Sequence, residues 1–161
     1  MQQLVEWLQQ TALSAWLLNS AWAWPVLEIL HFMGLSLLLG ALIIFDLTVA
    51  GMMAIGPIAA ARTLPRVMIA GFAVNLGSGA LFFVGDPSRY AINTGFQFKM
   101  LLVLLAGINA FWFMRVYGAA LPHWVTRRDV PRVARALASV SLLTWLGVLL
   151  LGRLIPYVGT G

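Results

Sequence analysis

The chain has 161 residues, of which 61% are apolar and 9% charged, and it carries a net charge of +5 with a mean hydropathy of +0.92. Soluble domains hold about a quarter charged residues, so this composition excludes an ordinary water-soluble enzyme, a disordered tail and a nucleic-acid-binding module. It leaves an integral membrane protein. The lack of cysteine removes disulfides, thiolate metal sites and a Cys nucleophile together.

Residues 1–20 have neither a basic n-region nor a small-residue cleavage site and do not read as a signal peptide. Leu4, Trp7, Leu8, Ala15 and Leu18 fall near one side of a helix, with Gln2, Glu6, Gln9, Gln10 and Thr11 mostly outside that stripe. This spacing predicts an amphipathic helix lying in the outer interface, with Trp7, Trp16, Trp22 and Trp24 forming an aromatic belt. Four apolar segments follow, at about 24–51, 66–84, 96–118 and 133–155. Each approaches or exceeds the ~20 helical residues that cross ~30 Å of hydrocarbon. Helix is the spanning option because backbone groups find no water in lipid and the segments lack strand alternation. The breaks carry turn chemistry: Gly56-Pro57 and Pro65, Gly85-Asp86-Pro87, Pro122 with Asp129-Val130-Pro131, and Pro156. Pro25 suits a first helical turn. The expected fold is all-α: an interfacial helix over 1–20, then a four-transmembrane-helix bundle over 21–161.

No Lys or Arg precedes Arg62. The connections between the first and second spans and between the third and fourth hold Arg62, Arg66, Arg115, Arg127, Arg128, Arg132 and Arg135, against Arg89, Lys99 and Arg153 on the other side. The positive-inside rule then places the Arg-rich loops in the cytoplasm and both termini in the periplasm of a bacterial inner membrane. Lipid headgroups are the expected acidic partners, not nucleic acid.

An ionisable residue inside a span needs a partner or a purpose. Glu28 and His31 lie one turn apart near the outer face, Lys99 enters at similar depth, and Arg153 sits near the outer end of the fourth span. Bundle packing is expected to gather these four into an outer polar cluster, read either as a charge-balanced latch or as a ligand or partner site. Asp46, about three turns further in, is expected to pair with Arg66 or Arg115. Asn75, Ser78 and Asn109 fall mid-span and are expected to hydrogen-bond between helices.

The two histidines lie at opposite faces on this topology, His123 in an inner loop, so bis-His haem within one chain is not expected. The haem alternative is b-type haem on His31 with Met100. A closed zinc site wants four ligands, and the outer cluster has one His and one carboxylate, so no metal site is expected. The span serines, among them Ser36, Ser78, Ser139 and Ser141, have no His at matching depth, so the chain does not read as an enzyme.

Trp24-Pro25 with Glu28 and His31-Phe32-Met33-Gly34, then Phe45-Asp46-Leu47, Asp86-Pro87 with Tyr90 and Asn93, and Phe96, Lys99 and Gly107-Ile108-Asn109-Ala110 recur in order. Over nearly all the chain after residue 20 this pattern resembles a family of uncharacterised bacterial four-helix membrane proteins, which implies the fold and no activity. The sequence departs from the family in having Thr48 where an Arg is frequent, and in lacking a His near Phe113 or Met114. Likeness to copper-resistance and cytochrome-b-like bundles is architectural only. The leading expectation is a non-catalytic integral subunit that packs against other membrane subunits or copies of itself and needs no cofactor. Haem-based electron transfer through His31 and ion or proton conduction through Asp46 are the alternatives.

Overall fold

The computed structural model describes residues 2–56, 59–127, 129–155 and 157. Eight α-helices run in order as α1 (Gln2–Gln9), α2 (Ala12–Asn19), α3 (Ala23–Val49), α4 (Leu64–Gly85), α5 (Pro87–Ala91), α6 (Thr94–Tyr117), α7 (Leu121–Arg127) and α8 (Arg132–Leu154). Four helical stretches are long and apolar enough to cross a membrane: α3, α4, α8, and α6 continued through a 3-10 turn into α7 as far as Trp124. The chain is thus an all-α, multi-pass membrane protein.

Sequence chemistry sets the boundaries. The segment expected as one helix over 1–20 is two, because Thr11 interrupts it. Its hydroxyl donates to Leu8 O at 2.7 Å and accepts from Ser14 N at 3.2 Å, ending α1 and capping α2. Gly51, at φ +83°, ends α3 in the left-handed region. Met52 N–H bonds Leu47 O and Gly51 N–H bonds Thr48 O, closing the last carbonyls in a Schellman motif. Asp86 caps α5 on Arg89 N, and Asn93 caps α6 on Phe96 N at 2.9 Å. His123, expected in a loop, lies on helix α7. Pro122 falls in that helix's first turn, where a missing N–H costs nothing, and Leu121 beside it is 1% exposed in the core.

α3 packs most extensively on α4 and α6 on α8, and an α3–α8 contact joins the two pairs. On α8 the inward face reads Ala134, Ala138, Ser141, Trp145 and Val148, a run of threes and fours. At the arginine-bearing end these meet Phe45, Val49, Phe113 and Leu121, and mid-bundle they meet Leu38, Leu42 and Ala106. At the tryptophan-bearing end Leu17 of α2 packs with Ala23 and Leu27 of α3. α2 is therefore docked on the bundle by Leu17 and Ser14, while Leu4, Trp7 and Leu18 of the amphipathic stripe stay exposed. The α3–α4 crossing is a glycine contact: a Cβ on Gly71 would stand 2.5 Å from Leu38 N, and one on Gly34 would stand 2.8 Å from Asn75 N. Backbones that close are open only to glycine, and small residues drive association in lipid because the hydrophobic effect does not.

Candidate functional site

Two polar centres lie inside the bundle, one toward each end. At the tryptophan-bearing end, His31 of α3 faces α4. Its Nδ1 lies 2.9 Å from Ser78 Oγ, Asn75 Nδ2 donates to His31 O at 3.0 Å, and its ring packs edge-on against Phe82 at 5.5 Å. Ser78 Oγ also lies 2.8 Å from the Val74 carbonyl and 3.1 Å from the Asn75 carbonyl. With its one hydrogen on either carbonyl the imidazole donates Nδ1–H to Oγ, and in the other tautomer Nδ1 accepts from the hydroxyl. Gly79 lies against the ring, where a Cβ would be in ordinary contact with Cε1 at 3.5 Å.

Of the other members of the expected outer cluster, Lys99 stands near enough to His31 for its charge to act on the ring. Among the described residues no ion pair links Glu28, Lys99 and Arg153. Glu28 and Arg153 are exposed, and Arg153 sits 5.9 Å from the ring of Tyr157. Lys99 is half-buried and lies across Gly152, whose missing side chain admits it: Nζ would be 3.3 Å from a Cβ there. Nearby, on α5, the Tyr90 phenol is pushed above its ordinary range mainly by burial, with Arg89 opposing and the charges of Asp86 and Glu28 adding to the rise. Met100 is 41% exposed.

At the arginine-bearing end, Asp46 is 4% exposed. It forms no ion pair with Arg66 or Arg115, whose side chains are exposed on α4 and α6. The expected inner pair is not made: both arginines are exposed, whereas Asp46 is buried. Ser141 of α8 instead lines the same small space as the Asp46 carboxyl, whose Oδ2 has no hydrogen-bond partner. It borders a cavity of about 50 Å³ shared with Met68, Asn109, Phe113, Leu137 and Ser141. Asn109 Nδ2 donates to Leu137 O at 3.2 Å, tying α6 to α8.

Two working residues escaped the sequence reading as partners. For Ser141 the signal of an inward position is its place on the apolar repeat of α8. Asn93, besides capping α6, donates Nδ2 to Ile155 O at 3.0 Å and binds the start of α6 to the end of α8. No protein-family model, curated protein or solved structure matches the chain.

Proposed function

We propose that this protein is a non-catalytic integral subunit that associates in the bilayer with other membrane subunits or with copies of itself through the outward face of α4. One observation carries the reading. Ala70, Ala73, Gly77 and Ala80 are exposed at helical spacing on α4, and a Cβ on Gly77 would meet nothing within 4 Å. Gly34 and Gly71 are used up in the chain's own crossing; Gly77 is a small residue of the same kind left open. A small-xxx-small pair, here Ala73 and Gly77, lets helix backbones approach closely and is a recurrent association surface in lipid. The interior polar groups support a structural role, since His31, Asn75, Ser78 and Asn109 are engaged across helix pairs.

In this reading the arginine-bearing end faces the cytoplasm of a bacterial cell and the tryptophan-bearing end, with α1 and α2, lies at the outer surface. The test is association measured in native membranes by crosslinking and in mild detergent by size. Gly77→Ile is expected to dissociate the complex while leaving helicity and melting unchanged. An unaltered complex in Gly77→Ile with Ala73→Ile, or a parent chain that is monomeric in its own membrane, would remove the proposal.

A further inference from the structure

Of the two acidic residues on the spanning helix α3, Glu28 is exposed and Asp46 is buried, and the docking role above does not use Asp46. Three observations define its setting. The side chain is 96% buried by its 4% exposure. Its carboxyl oxygen Oδ2 has no hydrogen-bond partner. Beside it is a partly open space of about 50 Å³ also lined by Asn109 and Ser141, the remaining walls being apolar.

A water needs roughly 10–15 Å³ of such space and two to four polar partners. The cavity offers the volume, and Asp46, Asn109 and Ser141 offer the partners. What it lacks is a positive charge. From α4 the wall is Met68, from α6 it is Asn109, Phe113 and Met114, and from α8 it is Leu137, Ala138 and Ser141, none of them titratable. The arginines on those helices, Arg66, Arg115, Arg132, Arg135 and Arg153, are exposed, and none pairs with Asp46. A bare carboxylate here would be a buried ion without a counter-ion, the costliest arrangement a bundle interior can hold.

We propose that the Asp46 cavity is a site for a single proton held with water, exchanging with the arginine-bearing end of the bundle. A hydronium reaching the cavity passes its proton to Oδ2. The products are a neutral carboxyl, whose new O–H donates to the water left behind, and that water, which Asn109 and Ser141 help to hold. Release is the reverse step. A metal cation fits less well: hard cations gather about six oxygen ligands, and three polar side chains do not supply them. Access is short, because Asp46 is three residues from the end of α3 at Val49. There Arg135 lies beside Gly51, its Cζ 3.7 Å from where a Cβ would stand.

The chain makes the experiment clean because it has only four other carboxylic side chains, Glu6, Glu28, Asp86 and Asp129. Of these Glu6, Glu28 and Asp129 are exposed and Asp86 caps α5. Infrared spectra of the full chain in lipid vesicles at neutral pH are expected to show a single protonated-carboxyl band. The band should exchange in deuterium oxide, vanish in Asp46→Asn and move in Ser141→Ala. Its absence from the parent protein, or its survival in Asp46→Asn, overturns the proposal. Bleaching by sodium at constant pH would also overturn it, in favour of a metal-cation site. Should Asp46→Asn fail to fold, Ser141→Ala decides: a shifted band supports the assignment and an unmoved one overturns it.

Discussion

His31 and Asn75 show how a few polar atoms hold two apolar helices in register. Asn75 donates to the His31 carbonyl, and the His31 ring meets Ser78 one turn along α4. Interhelical hydrogen bonds in lipid contribute on average ~0.6 kcal/mol and at most about 2, so Asn75→Leu is expected to lower bundle stability by roughly that amount. Unfolding in mixed micelles with increasing denaturing detergent measures it, and an unchanged midpoint would deny the bond any weight. Tyr90 gives a pH dependence. Its folded-state value lies above the ordinary one, so the stability held by the neutral phenol is complete below about pH 10 and is lost as pH rises through the elevated value. Comparing Tyr90→Phe with the parent in an ultraviolet alkaline titration should show the missing phenolate step above the usual tyrosine range. The types of residue at these sites were legible in the sequence, since a polar group within an apolar run stands out. Their partners were not: charge alone pointed Asp46 to arginines, while helix rotation turned Arg66 and Arg115 outward and brought the neutral Ser141 inward.

Among the elements, the α3–α4 pair is the tightest. A Cβ on Gly71 has backbone atoms at 2.5 and 2.8 Å and cannot be accommodated by moving a side chain alone. Gly71→Ala is expected to force the helices apart at a cost of about 1–3 kcal/mol, whereas Gly40→Ala, with nothing within 4 Å, should be neutral in the same melt. The cap at Thr11 is worth about 1 kcal/mol, so Thr11→Ala should speed amide exchange in α2 without affecting α4. The apolar segments read from hydropathy fall within two residues of the ends of α3, α4 and α8, because ~20 apolar residues can be placed in few ways, whereas the third stretch runs on to Trp124. Hydropathy could not foresee the break at Thr11, where one hydroxyl outweighs a continuous amphipathic pattern. Nor did it foresee α7, where Pro122 was read as a break although proline is well tolerated in an opening turn.

For the molecule as a whole, the uneven burial of the spans matters most. In the most apolar 18 residues, 44% of α3 is buried against 11% of α4 and of α6. The lack of native cysteine allows orientation to be mapped with single introduced thiols. A cysteine replacing exposed Met52 is expected to react with impermeant reagent only after cells are opened, and one replacing Trp22 in intact cells. The reverse pattern would invert the topology. The central position of α3 also bears on how the protein is made. Translation delivers this helix ahead of the other three, so its most apolar faces leave the ribosome before anything exists to cover them. α4 follows directly and can close onto it as a hairpin through Gly34 and Gly71. α8 emerges last of the four and supplies the Ser141 hydroxyl. Until then Asp46 waits among lipids or the insertion machinery, so the newborn chain is most exposed to quality control in the interval between its first hairpin and its final helix.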